Sequence, residues 1–481
     1  MATLEDLSRY KTEIENSKAP LVFQLQEMNG SLARIHIRMA EIRDINRDTP
    51  TNALPDEMLA AIFEAGVTLT SYFSHQWPVF WSKEKPIEIL ISSVCRRWRN
   101  VALQTPRLWT YLHINVSKST GDFLDLYISR SKMCLLDITF VQLERSHYQH
   151  AEFDFGNFKR YLGQLIPHVA RWRQFVIRNL SIGSMFAAFS PLAALCAPAL
   201  ENMVIDCNPM ERTVIKVFSA GAPLLSSLEL LCTYVLPPGD AVKRMGFGCV
   251  HGQLSLTGFN QLIVHMRSLT HLSITPNDFA EDSTHLPRVE LPAAVSLDLH
   301  LNHFSNIQNP SVGALGSLDL PTLESLTVHG STAETIGAFT RHRRLYPTLR
   351  SLKLMSRFVN DKEGIACTLI LDFIHLFPNI QDLAFHGAHP NPILHTLGDS
   401  QSTNGLLWPQ LSVITLVPRL IDEDQHNAQT FGCIAAVVEN RFTLGHPVAQ
   451  IKLSSRILKR ITPEQQMRLR ELVEIEECYI K

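Results

Sequence analysis

A triplet of apolar residues recurs along the chain from about residue 130 to its end. Each copy has the form L-x-x-L-x-L, and most copies begin 25–31 residues after the previous one. Apolar residues two apart share one face of a strand, so each copy predicts a short strand with one buried face. The eleven copies are Leu135-Ile138-Phe140, Trp172-Phe175-Ile177, Leu200-Met203-Ile205, Leu225-Leu228-Leu230, Leu269-Leu272-Ile274, Ala294-Leu297-Leu299, Leu323-Leu326-Val328, Leu349-Leu352-Leu354, Ile380-Leu383-Phe385, Leu411-Ile414-Leu416 and Val448-Ile451-Leu453.

The segments between the triplets complete a repeating unit. Thr335–His342 and Leu369–Leu376 have the pattern of short helices, and one strand plus one helix per 25–30 residues is typical of a leucine-rich-repeat solenoid. We therefore predict such an irregular solenoid, with a parallel sheet, over residues 113–481. Three longer gaps leave room for insertions. The alternative is a set of coincidental apolar clusters in an ordinary α/β protein. In six copies a proline stands two residues before the first apolar position: Pro198, Pro223, Pro321, Pro347, Pro378 and Pro409.

The end of the chain carries a helix start signal. Thr462-Pro463-Glu464-Gln465 has the residues of a capping box with proline at the first helical position. We predict a helix through about Val473 that covers the exposed end of the solenoid.

Residues 1–50 contain a heptad series of apolar positions with spacings that alternate between 4 and 3. Pro20 before this series is predicted to lie in the first turn of a helix. The series predicts an amphipathic helix that packs on its own protein or on a partner, and a self-associating coiled coil is the alternative. The series is Leu21, Leu25, Met28, Leu32, Ile35, Met39 and Ile42.

Residues 51–112 predict a small all-helical unit. A first helix begins at Leu54-Pro55-Asp56-Glu57 and is expected to end at Gly66. Residues 67–86 form a loosely patterned insert, and a second helical stretch follows up to the break at Pro106. Because about 60 residues bury their large apolar side chains poorly when alone, a partner surface is expected. Apolar positions that define the unit are Leu59, Ile62, Phe63, Leu90, Ile91, Val94, Cys95, Trp98, Val101, Ala102, Leu108 and Trp109.

The phase of the repeats also predicts which residues line the open, concave face of the solenoid. They are the residue between the last two apolar positions and the residue after the last one. Repeat proteins bind partners on this face. We predict a protein partner across the most polar part, and ordinary solvated side chains are the alternative. These residues are Asp298, His300, Thr327, His329, Lys353 and His386.

The composition limits which classes of partner and which cellular compartment we expect for the protein. The 481 residues include 44 basic and 46 acidic side chains, which gives no electrostatic footprint for nucleic acid or an anionic membrane. Nine cysteines without a CxxC pair indicate thiols in a reducing compartment. The charged N-terminus predicts no secretory signal, and serines and prolines interrupt the uncharged stretch 179–200, so we expect no membrane span. A cytoplasmic or nuclear location follows.

The sequence predicts that the protein is not an enzyme. It has no P-loop, HExxH or GxSxG motif, and Gly246-Phe247-Gly248 lacks the preceding strand that a phosphate-binding loop needs. The histidine pairs His147/His150, His300/His303 and His386/His389 are each three residues apart. A metal site would need one helix or a third converging ligand, and the sequence alone supplies neither. We therefore expect no catalytic residues, metal or cofactor.

The stretch from Leu54 to Trp109 resembles an F-box with an insert after its first helix. Together with the heptad helix before it and the repeats after it, the chain resembles the F-box proteins that are numerous in mushroom-forming fungi. The matching residues are Leu54-Pro55-x-Glu57-x-Leu59-x-x-Ile62-Phe63, Val94-Cys95-x-x-Trp98-Arg99-x-x-Ala102 and Leu108-Trp109.

The resemblance implies a non-catalytic substrate receptor of a Skp–cullin–F-box ubiquitin ligase. The F-box would dock on the Skp-type adaptor, and the repeats would bind a protein substrate. The alternative is a repeat scaffold outside ubiquitin transfer, in which the heptad helix serves for oligomerisation. Some of the matching residues could instead form the core of the unit. By the resemblance, the adaptor-contacting residues are Leu54, Pro55, Leu59, Ile62, Phe63, Val94, Cys95, Trp98 and Trp109.

Overall fold

The protein is described from a computed structural model, which divides the chain into two compact units, 1–108 and 109–481. The two units are described separately below. The residues that the structure describes are 4–47, 53–76, 86–117, 123–142, 155–180, 185–207, 214–248, 254–275, 279–280, 288–301, 318–330, 335–337, 339–340, 344–355, 367–387, 390–399, 406–417, 424–459 and 461–478.

The first unit is helical in its described part. It contains α1 (Leu4–Arg47), α2 (Asp56–Gln76), α3 (Ile87–Val94) and α4 (Arg96–Gln104). A short 3₁₀ turn, Pro106–Trp109, follows.

Helix α1 is longer than the heptad series predicted. It begins at Leu4, so the prediction that Pro20 lies in its first turn is wrong. The residues before Pro20 are rich in Leu, Glu, Lys, Arg and Ala, and the summed helix propensity of these residues outweighs the single proline. The seam side chains that the structure describes are 47–62% exposed, so α1 presents an apolar stripe to solvent. They are Leu25, Met28, Leu32, Ile35 and Met39.

Helix α2 also passes its predicted end. It continues through Gly66 to Gln76, so part of the predicted 67–86 insert is helical, and residues 77–85 lie outside the described part. Val67 is buried like Leu59 and Phe63, and these three residues at intervals of four form one stripe. A Cβ atom on Gly66 would lie 3.2 Å from Ile87 Cδ1. The glycine therefore permits close packing of α3 on α2 and does not end the helix.

The second unit is mixed α/β and is built on an open sheet in which all strand pairs are parallel and successive strands are neighbours. The chain winds in one direction through this sheet. Its strands are β1 (Tyr111–Asn115), β2 (Leu136–Val141), β3 (Trp172–Leu180), β4 (Asn202–Cys207), β6 (Ser227–Leu231), β8 (Arg244–Gly248), β10 (His271–Thr275), β13 (Ser296–His300), β15 (Ser325–His329), β16 (Ser351–Met355), β17 (Asp382–His386), β18 (Val413–Val417), β19 (Gln450–Ser454) and β20 (Glu474–Cys478).

Three pairs of two-residue strands lie outside this sheet. They are β5 (Ile215–Lys216) with β7 (Val235–Leu236), β9 (Leu254–Ser255) with β11 (Phe279–Ala280), and β12 (Val289–Glu290) with β14 (Leu318–Asp319).

Short helices connect the strands. The helix predicted over Leu369–Leu376 is confirmed by α9, and residues 335–337 and 339–340 are helical within the other predicted segment. The helices are α5 (Phe123–Arg130), α6 (Phe155–Leu165), α7 (Met185–Phe189), α8 (Leu256–Ile263), α9 (Cys367–His375), α10 (Asn391–Gly398), α11 (Asp424–Thr443), α12 (Ser455–Leu458) and α13 (Pro463–Arg470).

Every predicted triplet contributes a strand to the large sheet. Their apolar residues are at most 2% exposed, with one exception, and the neighbouring strands pair in register. The exception is Leu135, which is 39% exposed, whereas the adjacent Leu136 is fully buried. The ladder between β2 and β3 shifts by one residue at this point, and the shift moves the anchor from Leu135 to Leu136.

The triplet pattern missed three strands, β1, β8 and β20. Strand β8 lies within the longest gap, which was predicted to hold an insertion. It carries a buried triplet of its own, Val242, Met245 and Phe247, which contains no leucine. The glycines that flank Phe247 therefore lie in a strand, whereas the sequence pattern gave no sign of one there.

The recurring prolines begin tight turns. In the turn at Pro198, the amide of Leu200 donates to the carbonyl of Ala197 at 3.2 Å. The same bond closes the turns at Pro223, Pro321, Pro347 and Pro409. Proline at the second position of a β-turn has its backbone φ preset, and the turn then delivers the first apolar residue of the triplet into the core.

The C-terminal capping box is confirmed, but the helix that follows it is shorter than predicted. Thr462 accepts from the Gln465 amide, and the Gln465 side chain accepts from the Thr462 amide. Helix α13 ends at Arg470, because Val473 turns into the core and the chain continues as β20. The last element at this end of the sheet is therefore an edge strand.

Within the described part of the chain, no helix combines the length and the apolar character that crossing a bilayer requires.

A buried ion pair ties β2 to β3. The Asp137 side chain is 3% exposed and receives two hydrogen bonds from Arg173, one of them from Nε at 2.8 Å. Hydrogen bonding with Asp137 raises the pKa of Arg173 above its usual range. Two parallel bonds to one carboxylate fix the relative position of these strands.

We expect Arg173→Met to lower the free energy of unfolding by about 3 kcal/mol, because it leaves the Asp137 carboxylate buried without its partner. Urea denaturation followed by circular dichroism measures this change. Arg468→Met is the matched control, since Arg468 pairs with Glu439 at 2.7 Å while 71% exposed. That variant should lose at most about 1 kcal/mol. Equal losses in the two variants would contradict the role given to Asp137.

Candidate functional site

Two surfaces collect the residues that the sequence analysis singled out. The first lies on the helical unit. Leu59 and Phe63 are buried, and the Phe63 ring packs on Trp98 with 4.9 Å between ring centroids. These residues therefore form the small core of the unit and hold α2 against α4.

Several residues next to the core of the helical unit face solvent. Ile62 is 51% and Val94 60% exposed, and Pro55 and Cys95 are exposed as well. The sequence analysis did not single out Met58, which is 51% exposed and lies one turn before Ile62 on α2. Large apolar side chains exposed at helical spacing are typical of a surface that a partner covers.

Arg97 fixes the start of α2 against α4. Its Nε donates to Asp56 Oδ1 at 2.8 Å, and its Nη2 donates to the Leu54 carbonyl oxygen. Cys95 caps α4, since its Sγ accepts from the Trp98 amide at 3.4 Å. These bonds give Pro55 and Cys95 defined positions at helix starts.

Trp109 has a different environment from the other residues of the F-box pattern. It is fully buried within the second unit, where its ring meets Tyr127 edge-on at 5.2 Å and Arg130 stacks over it at 4.3 Å. In the structure Trp109 is a core residue. It therefore does not belong to the exposed apolar surface that includes Ile62 and Val94. Its position after Pro106 in the sequence does not reveal which unit it packs in.

The second surface is the open face of the large sheet. Strand pairing places Asp298, Thr327 and Lys353 side by side in one row, and His300 beside His329 in the next. All of these side chains are half-buried, as is His386 on β17. The structure thus brings the predicted residues onto one face, in the register that the triplets imply.

Asp298, His300 and His329 form a cluster on this face. His329 Nε2 lies 3.0 Å and His300 Nε2 lies 3.5 Å from Asp298 Oδ1. The two imidazole rings stack at 3.9 Å between centroids, with 7° between their planes. Burial alone would raise the pKa of Asp298, but the contacts and charge of His300 and His329 outweigh burial and hold that pKa well below its usual range.

The sequence analysis expected no third ligand beside His300 and His303, because it examined neighbours along the chain. His303 lies outside the described residues. The two residues that join His300 in the cluster, Asp298 and His329, are brought there by strand phase and pairing. Both were already assigned to the concave face, so the signal that could have found the cluster was the register between consecutive triplets.

Comparison with known proteins adds no family assignment. No protein-family model matches the sequence. A search of curated proteins likewise found no match.

We expect His386 to titrate far below an ordinary histidine. Burial, with a smaller contribution from the Lys353 charge, lowers its pKa from 6.5 to about 4. The unfolded chain therefore binds a proton more readily between these values, so the free energy of unfolding falls as the pH decreases from 6.5 to about 4. NMR titration of the ring measures the pKa. In Lys353→Met it should remain well below 6.5, since burial is the larger cause. A midpoint near 6.5 in the native protein would contradict the prediction.

Proposed function

We propose that the chain is a non-catalytic substrate receptor of a Skp–cullin–F-box ubiquitin ligase. The helical unit would dock on the Skp-type adaptor, and the second unit, as a leucine-rich-repeat solenoid, would bind a protein substrate. The observation that carries the proposal is the exposure of Ile62, Val94 and Pro55, which match the F-box pattern and are not needed for the core of the unit.

The chemistry of the two surfaces supports different kinds of binding. A few large apolar side chains in a small patch can supply most of the free energy of a protein–protein contact. The part of the open face from Asp298 to Lys353 is polar and half-buried, which favours specific recognition of a complementary surface. A receptor with both surfaces would hold its substrate beside a partner enzyme in the cytoplasm or nucleus, so that ubiquitin transfer becomes effectively intramolecular.

The solenoid assignment rests on the order of the strands. Consecutive strands of the large sheet are sequential in the chain, and the amide before one strand donates to the carbonyl before the preceding strand. The amides of Val295, Glu324 and Arg350 donate in this way to the carbonyls of Thr270, Val295 and Glu324 at 2.9–3.0 Å. Such nearest-neighbour stacking is typical of repeat proteins.

A second candidate function is a repeat scaffold that oligomerises through α1. The exposed heptad seam favours it, because the described seam residues from Leu25 to Met39 form an apolar surface that a second helix could cover. This function requires no adaptor.

Adaptor binding is tested by pull-down with a purified Skp-type adaptor. We expect Ile62→Asp with Val94→Asp to reduce adaptor binding at least about 100-fold, because both substitutions place a charge in a buried apolar interface. Met133→Asp is the matched control, since Met133 is an exposed apolar residue of the second unit and should leave binding unchanged. Circular dichroism checks that the helical unit stays folded. Absence of adaptor binding by the unaltered chain would refute the receptor proposal.

Self-association is tested by sedimentation velocity on the full chain. If α1 forms a coiled coil, Met28→Asp with Ile35→Asp should shift the protein to the monomer. Ile37→Asp is the matched control, because Ile37 is 61% exposed but lies off the seam. A chain that is monomeric at all concentrations would exclude the coiled-coil form of the scaffold.

A further inference from the structure

Three potential metal ligands meet on the open face of the second unit. Asp298 and His300 lie two residues apart on β13, and His329 lies on β15 directly beside His300. One ligand atom from each residue lies within 4.8 Å of the others. The backbone itself produces the cluster, since the two-residue period of a strand puts Asp298 and His300 on one face and pairing in register adds His329.

The distances suit ligands that share one small ion. The two Nε2 atoms lie 3.0 and 3.5 Å from Asp298 Oδ1. A tetrahedral ion with bonds of about 2.0–2.1 Å separates neighbouring ligand atoms by roughly 3.3–3.4 Å. The two rings are nearly parallel, so binding one ion requires them to tilt out of the stack until both Nε2 lone pairs point to it.

Two polar atoms of this cluster are buried without a hydrogen-bond partner among the described residues. They are Asp298 Oδ1 and His329 Nδ1. His329 Nε2 lies 3.0 Å from Oδ1, but this contact does not meet the geometric criteria of a hydrogen bond. A buried carboxylate oxygen without a donor is costly, and a bound cation would satisfy it.

We propose that Asp298, His300 and His329 bind a divalent transition-metal ion of the Zn²⁺ class. Two imidazoles and one carboxylate are donors that Zn²⁺ and its neighbours accept, whereas Ca²⁺ and Mg²⁺ prefer oxygen ligands throughout. Three protein ligands leave a coordination position open on the exposed side of the sheet, where water or a side chain of a bound protein completes the shell. The site is independent of the ubiquitin-ligase proposal.

Metal binding is tested on the full-length chain, with its cysteines kept reduced, by Zn²⁺ titration against a chromophoric chelator. We expect one tight Zn²⁺ per chain. Each of Asp298→Asn, His300→Gln and His329→Gln should weaken this binding at least about tenfold. His386→Gln is the matched control, because His386 is a half-buried histidine of the same face and lies outside the cluster. This variant should bind Zn²⁺ like the unaltered protein.

Two further measurements do not depend on the chelator titration. Zn²⁺ should raise the thermal unfolding midpoint of the unaltered chain, and it should raise that of His329→Gln much less, since only binding to the native state stabilises it. Crystals grown with Zn²⁺ should give an anomalous peak between the three side chains at the zinc edge. No stoichiometric zinc in the unaltered chain, equal affinity in the three ligand variants, or a peak elsewhere would overturn the proposal.

Discussion

The second unit depends on one constraint, which is that side chains alternate across strands paired in register. Each strand of the large sheet from β10 to β18 buries its second and fourth residues, so the residue between them lies on the other face. Pairing in register then aligns these exposed positions into continuous rows, for example Asp298 beside Thr327 beside Lys353. The same apolar triplets that build the core therefore also determine which polar side chains become neighbours. A shift of one residue in any strand would reverse its two faces.

This constraint explains which features the sequence could predict. Apolar triplets predicted the strands that carry them, because burial of leucine, isoleucine and phenylalanine is the main driving force and leaves a period of two. The pattern missed β8, although Met245 and Phe247 are buried there, because the glycines that flank Phe247 are unusual in a strand. It also failed where a local signal competes with the surrounding helix, as at Pro20 and Gly66. Gly66 has a role that depends on the position of Ile87, and no pattern within one helix contains that information.

The two candidate surfaces also contain features that the sequence could predict and features that it could not. The sequence placed the polar rows correctly, since they follow from strand phase, but it did not predict that His300 and His329 would stack or that both Nε2 atoms would lie within 3.5 Å of Asp298 Oδ1. Those two histidines are one repeat apart in the chain and adjacent in space. On the helical unit, the F-box pattern contained both core and surface residues, and only packing separates Phe63 from Ile62. The pattern also included Trp109, whose ring belongs to the core of the second unit.

The loop before β18 shows how the second unit compensates for a charge in its core. Arg441 is fully buried on α11, and burial lowers its pKa to about 10. It has no acidic partner within the described ranges, and its guanidinium instead donates to the carbonyls of Leu407 and Trp408 at 3.0 and 2.8 Å. Those carbonyls lie at the turn at Pro409, and the Trp408 carbonyl also accepts from the Leu411 amide that closes the turn. The arginine therefore donates to backbone carbonyls at this turn, and these bonds offset part of the cost of burying its charge.

The histidine–aspartate cluster on the open face differs from this turn. The turn carbonyls accept hydrogen bonds from a side chain, whereas Asp298 Oδ1 is buried without a hydrogen bond from the described residues. Under the proposal above, a bound cation would supply the positive partner of that oxygen.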